Sequence, residues 1–162
     1  MNIRHLNNDD LPALLKLYEH LHSADDPLPG MEEIARVWAE ILASERIVYL
    51  GGFVDDQLVS SCTVAVIPNL TRGCRPYAVI ENVVTHSAQR KRGHGTNILH
   101  AALSHAWTNR CYKAMLLTGR KDEATLRFYQ QAGFDSDGKQ AFVAKPVDKF
   151  SAPSSPVLNE FG

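Results

Sequence analysis

The chain is poor in the features that mark most specialised classes of protein. Its 162 residues include three cysteines, Cys62, Cys74 and Cys111. An odd number without paired metal spacing points to neither a disulfide framework nor a zinc site, and a reduced, cytoplasmic protein is the simplest expectation. No apolar run reaches the roughly 20 residues that a membrane span requires. The opening Met1-Asn2-Ile3-Arg4-His5 lacks the apolar core of a signal peptide. Charge of one sign is missing too: the formal net charge is −1, which offers no bulk attraction to nucleic acid. No internal repeat is visible. With 44% hydrophobic and 22% charged residues, a disordered chain is excluded and one ordinary globular core is expected.

Several catalytic signatures are absent as well. There is no Walker A sequence. A dinucleotide-binding Gly-x-Gly-x-x-Gly turn fails, because Ile98 stands in the third glycine position after Gly93 and Gly95. No Gly-x-Ser-x-Gly elbow exists to present a nucleophilic serine. Among the seven histidines, His20 and His22 are two apart on a helical run, and His100 and His105 five apart. Neither spacing places two rings on one helix face, so no metal site is expected.

What is present is Arg90-Lys91-Arg92-Gly93-His94-Gly95, set between a strand-like run at 78–85 and a helical run at 95–107. Glycines where a strand hands over to a helix allow a tight turn with no Cβ in the way of a ligand. The first amides of a helix have no internal partner, and the helix dipole adds partial positive charge there. With three basic side chains this is an anion site, most naturally for phosphate.

Around it the pattern alternates between strands and helices. A strand is expected at 2–5, then a helix capped by Asn8 or Asp9 and running to about His22, with Leu11, Leu14, Leu15, Tyr18 and Leu21 on one face. A loop at 23–30 precedes a second helix at 31–44. Runs at 47–54 and 58–67 read as a hairpin around Asp55-Asp56. A loop at 69–76 carries Arg72 and Arg75, and a strand at 77–85 follows. The run at 114–118 fits a fully buried strand. A helix at 123–132 stops at Gly133, a good left-handed C-terminal residue. Residues 141–144 are a candidate last strand. One domain spans 1–145, and 146–162 is a tail with no periodic pattern.

Arg-x-x-Gly-x-Gly resembles the pyrophosphate loop of the GNAT family of N-acetyltransferases, which bind acetyl-CoA. Upstream, Val79-Ile80-Glu81-Asn82-Val83-Val84-Thr85 is similar to the family's central strand. Downstream, Ala124 to Phe134, with its Phe128-Tyr129 pair and Gly133-Phe134 end, resembles the family's late helix. The resemblance implies an α/β fold with a central, mixed, mostly antiparallel sheet, splayed central strands and about four flanking helices. It implies acetyl-CoA as cosubstrate and no metal. The expected partners are a small-molecule or peptide amine and a second copy of the chain in a homodimer, with neither nucleic acid nor membrane.

The resemblance also distributes roles. The backbone of Val83 and Val84 pairs with the pantetheine arm, and the Val84 amide is the candidate oxyanion contact. Arg90, Lys91, Arg92, Gly93, His94, Gly95, Thr96 and Phe128 hold the rest of the cosubstrate. The His94 imidazole itself is read as solvated. Tyr129 is the candidate general acid toward the departing thiol, although helix periodicity alone reads it as core. Glu81 is the candidate base, or else a strand-end carboxylate bonded to Arg75 or another basic side chain. Glu81-Asn82-Val83-Val84 and Cys111-Tyr112-Lys113 look somewhat like glucosamine-6-phosphate N-acetyltransferases, but Leu117 and Thr118 stand where that group carries an acid. Asp25, Asp26 and Glu81 suit a cationic acceptor, whereas Arg72 and Arg75 suit an anionic one. The reading is an N-acetyltransferase; the alternative is a non-catalytic acetyl-CoA sensor or scaffold.

Overall fold

The structure, a computed structural model, describes residues 1–21, 26–138 and 140–145. The chain runs β1 (Asn2–His5), α1 (Leu11–Tyr18), α2 (Met31–Ala43), β2 (Ile47–Val54), β3 (Gln57–Ile67), a one-turn α3 (Thr71–Cys74), β4 (Tyr77–Thr85), α4 (His94–Thr108), β5 (Ala114–Leu116) and α5 (Glu123–Gln131). One five-stranded sheet takes the strands in chain order. Neighbours from β1 to β4 are antiparallel, and β5 joins β4 in parallel. The sheet is therefore mixed and mostly antiparallel, with helices on both faces, as expected.

Short-range chemistry explains most boundaries. Asn7, not Asn8 or Asp9, is the first cap: its side chain accepts the Asp9 amide at 2.9 Å. Asp10 returns a bond from the Asn7 amide at 2.8 Å and closes a capping box. Its carboxylate also takes both Arg4 guanidinium nitrogens, at 2.7 and 2.8 Å, which ties this turn to β1. α1 ends at Tyr18 because the next bonds, His20 to Leu17 and Leu21 to Tyr18, tighten to three-residue spacing. His22, where the helix was expected to end, lies outside the described residues, as does the tail at 146–162. The hairpin turn has left-handed backbone at Asp55 (φ 47°) and Asp56 (φ 60°), the geometry that matches strand twist in a two-residue loop.

The core forms on both faces of the sheet. Strand alternation sends Cys62, Val64, Ala78 and Ile80 toward α4, where they meet Ile98, Leu99, Ala102 and Ala106. The opposite face carries α1 and α2, whose Leu14 and Trp38 form a smaller cluster with Leu6. Trp38 stands edge-on to Tyr49 at 5.2 Å. All three cysteines are free thiols, and burial pushes Cys62 up to about 12. Among the described residues no helix is long and apolar enough to cross a membrane.

Three expectations change. β5 stops at Leu116 and is half-buried, because among the described residues only β4 pairs with it. Residues 141–144 form no strand, and Phe142 and Val143 are exposed. A short apolar run becomes a strand only where a partner edge receives it, and none does here. Within the loop expected at 69–76, α3 is helical in outline only, since Arg72 and Gly73 are left-handed.

Candidate active site

The site begins where β4 loses a neighbour. Its register with β5 ends at Ile80 opposite Leu116, yet β4 continues to Thr85. The strands part there and leave a cleft of about 1080 Å³. This is the splay that the strand pattern alone does not show.

A bulge lies at the same place. Across β3, Thr63 faces Glu81 and Ser61 faces Val84, so β4 carries one residue more than its partner. Asn82 absorbs it with φ 53°, and its amide nitrogen reaches the Thr63 hydroxyl at 3.4 Å. Past the bulge, the buried Ser60 hydroxyl donates to the Val84 carbonyl at 2.9 Å and contacts the Thr85 hydroxyl at 3.0 Å. Asn82 and Ser60 were not singled out by sequence; the signal available was an asparagine, which tolerates left-handed backbone, inside an apolar strand.

The basic loop follows. Lys91 (φ 61°) and Gly93 (φ 83°) are left-handed, and Gly93 caps α4 with no side chain bonded to the helix end. The first helical bond is Asn97 to the Gly93 carbonyl, at 3.0 Å. The amides of His94, Gly95 and Thr96 thus have no helical partner, and all three residues line the cleft. The two glycines serve different needs. A Cβ on Gly93 would meet nothing within 4 Å, so its glycine answers to backbone angle. A Cβ on Gly95 would sit 3.1 Å from the Phe128 ring and 3.3 Å from the Thr85 hydroxyl. That glycine makes room for α5 and β4, not for a ligand.

The basic side chains also divide. Arg90 braces the loop: it donates to the His20 carbonyl at 2.9 Å and the Thr85 carbonyl at 3.2 Å. Lys91 lines the cleft, whereas Arg92 does not. His94 is not simply solvated, because its Nδ1 is shielded and unpartnered among the described residues.

α5 supplies the far wall. Asp122 caps it by accepting the Thr125 amide at 3.0 Å and the Thr125 hydroxyl at 2.9 Å. Its other end is a Schellman motif: Gly133, φ 97°, bonds to the Gln130 carbonyl and Phe134 to the Tyr129 carbonyl. The Phe134 ring packs edge-on to Tyr129 at 6.4 Å, which fixes where that phenol stands. Burial raises the Tyr129 pKa above its ordinary value; Arg120 and the Thr118 hydroxyl oppose the rise, and the Glu81 charge adds to it. The phenol therefore holds its proton at neutral pH.

Every residue expected to bind or react lines this one cleft, except Arg92. Glu81 is exposed there and has no ion pair with Arg75, whose Nε donates to the Arg72 carbonyl at 3.2 Å. Arg72 and Arg75 do not line the cleft, and Asp25 lies outside the described residues. Sequence reasoning also missed the contribution of α1's end, Glu19 to Leu21, and of Arg120.

A sheet that opens beside a glycine-started helix, with a phenol held over the opening, defines an acyl-carrier cleft. The chain belongs to the acetyltransferase (GNAT) family, whose model matches residues 11–134. Among curated proteins, it is similar to the glucosamine 6-phosphate N-acetyltransferase of Trypanosoma brucei brucei, 30% identical over 86% of this chain and 92% of that one. Among solved structures, it resembles a putative acetyltransferase from Agrobacterium tumefaciens, with 39% identity, TM-score 0.85, and 90% and 100% of the two chains covered. It also resembles a protein from Bacillus halodurans described as a transcriptional regulator, with 26% identity, TM-score 0.76, and 89% and 99% covered. The chain is an N-acetyltransferase that takes its acetyl group from acetyl-CoA.

Proposed function

We propose that this enzyme acetylates the primary amine of a small molecule or peptide by direct attack within a ternary complex. The observation that carries the reading is the placement of Glu81 and Tyr129 in one cleft with the amide-rich start of α4. An alkyl amine with pKa near 10.4 arrives protonated and must lose a proton before it can attack. Glu81, directly or through one water, accepts that proton. The amine nitrogen then bonds to the thioester carbonyl carbon. A backbone amide on the open side of β4 steadies the negative charge that develops on the carbonyl oxygen; Val83 offers it, because Val84, expected in that role, is paired with Ser61 and turns its backbone groups to β3. As the carbon–sulfur bond breaks, Tyr129 gives its proton to the thiolate; the nitrogen then loses its second proton, which returns through solvent to the phenolate, and Glu81 releases its own proton to solvent. No covalent acyl-enzyme is required. The free edge of β4 at Val83 pairs with the pantetheine arm as a strand would, while the His94, Gly95 and Thr96 amides receive pyrophosphate and Phe128 packs beneath.

The Trypanosoma relative, named for an amino-sugar acceptor, supports a small amine. The second reading is a sensor or scaffold that binds acetyl-CoA without turnover; the Bacillus likeness, to a protein described as a transcriptional regulator, is what keeps a regulatory role in view. One experiment separates them. Acetyl-CoA should raise thermal stability by about 2.7 kcal/mol at a hundredfold excess over Kd, and an amine panel should release free thiol. Desulfo-CoA should stabilise nearly as well, and adenosine little. No stabilisation by millimolar CoA overturns both readings; stabilisation without thiol release across the panel favours the sensor. We place the enzyme in the cytoplasm, as a homodimer that light scattering would detect.

A further inference from the structure

The cleft contains a cation that the reaction above does not use. β5 ends at Leu116, and the following loop, 117–120, forms the wall that faces β4 across the splay. The Arg120 amide donates to the Thr118 hydroxyl at 3.2 Å, a tight turn that sets where its side chain leaves the loop. Its guanidinium makes no ion pair or hydrogen bond among the described residues, unlike that of Arg90. Asp122, on its own segment, feels the Arg120 charge but makes no ion pair with it, and both its carboxylate oxygens bond to Thr125.

Its position is at the reacting end. The charges of Arg120 and Glu81 both act on the Tyr129 phenol, in opposite senses, yet the two are not an ion pair. Both groups line the same cleft as the phenol and do not pair with each other. A guanidinium presents a planar fork that matches carboxylate or phosphate. Both groups are exposed at the cleft, and a plain amine would engage Glu81 and leave the Arg120 guanidinium to solvent. An acceptor that brings both charges satisfies both walls.

We propose that Arg120 is the anion-binding residue of the acceptor subsite, so that the natural acceptor is a small amine that also carries a carboxylate or phosphate group. This rests on the acetyltransferase reading above. In it the ammonium approaches Glu81, the anion is held by Arg120, and the nitrogen is delivered to the thioester beside Tyr129. Arg120 touches substrate but takes no proton.

The test uses matched acceptor pairs: glucosamine 6-phosphate against glucosamine, and serine against serinamide. Thiol release gives kcat/KM for each, and calorimetry gives the CoA Kd. The wild-type enzyme should prefer the anionic member of at least one pair by about 10- to 100-fold, the worth of one charge-assisted contact. Arg120→Gln should abolish that preference by raising KM for the anionic acceptor, with the neutral acceptor's KM and the CoA Kd unchanged; Arg120→Lys should keep part of it. Equal use of both members of both pairs by the wild type overturns the proposal while the acetyltransferase reading stands. Weaker CoA binding in Arg120→Gln also overturns it and moves Arg120 to the cosubstrate's phosphates. No thiol release from any acceptor, in protein that CoA stabilises, overturns the underlying reading as well.

Discussion

The two halves of β4 belong to one strand and do different work. Over Ala78, Val79 and Ile80 the strand is paired on both edges, to β3 and to β5. From Glu81 to Thr85 only the β3 edge is paired, and that across a bulge. Strict alternation from Ala78 and Ile80 would send Asn82 and Val84 toward α4. The extra residue reverses the order. Val83 packs with the α4 cluster, Thr85 comes against Gly95, and Val84 pairs with Ser61 on the other face. Pairing on both sides makes the first half scaffold. Loss of one neighbour makes the second half a binding edge, kept from fraying by Ser60 and by the loop that Arg90 braces. The difference lies in partners as well as in side-chain type, since Glu81 and Asn82 stand only in the open half.

The largest effect expected is at the open half. Tyr129→Phe keeps the ring packing and removes the proton, so kcat should fall by about 10²-fold, the low end for a general acid because thiolate is a fair leaving group. CoA affinity and Tm should hardly move. Full kcat with a good acceptor would make the phenol a packing residue. Glu81→Gln should flatten the acidic limb of the pH–rate profile; if stability drops and the profile keeps its shape, Glu81 is structural.

Gly95→Val comes next. Its branches would collide with Phe128 and Thr85, so the wall of the cleft must shift, at a cost of about 1–3 kcal/mol and with weakened CoA binding. Gly93→Ala adds a methyl to open space and should cost only the strain of a left-handed residue, about 1 kcal/mol. Both changes should weaken CoA binding, and so should Arg90→Ala, which removes the brace to the His20 and Thr85 carbonyls. Equal behaviour of the two glycine variants in a melting experiment would contradict the separate needs assigned to them.

Two smaller changes sharpen the contrast inside β4. Ile80→Val, in the closed half, should lower stability by about 1 kcal/mol and leave kcat/KM intact. Asn82→Val forces a β-branched residue to φ 53° and should cost about 1–2 kcal/mol together with activity, while Asn82→Gly should retain both. If Ile80→Val reduced turnover as much as Asn82→Val, the two halves would not be functionally distinct.

The smallest effect lies far from the cleft and serves as a control. The Arg4 guanidinium holds Asp10 below the usual carboxylate range, helped by the Asn7 amide. A depressed folded pKa contributes stability above the unfolded pKa, and that contribution is lost as pH falls through the folded value. Acid below about pH 4 should therefore weaken the wild type more steeply than Asp10→Asn, in urea melts, with no change in CoA Kd measured at neutral pH.

Much of the local architecture was legible in the sequence because its causes lie within a few residues. Asp122 three positions before Thr125, Gly133 just past a helical run, and two aspartates between apolar strands each specify a cap or turn through their own hydrogen bonds and backbone angles. The phosphate-type loop was readable for the same reason, as was the set of residues beside it. Boundaries that depend on distant partners were not: β5 ends early and 141–144 stays unpaired because an edge must be supplied from elsewhere in the chain. The tertiary structure decided where the expected splay begins, after Ile80, and alone decided the bulge at Asn82, the bracing duty of Arg90 and the presence of Arg120 in the same cleft as Glu81. Each is a relation between segments far apart in sequence, set by which strand edges find partners and which carbonyls remain to be bonded. No single stretch of residues contains that information.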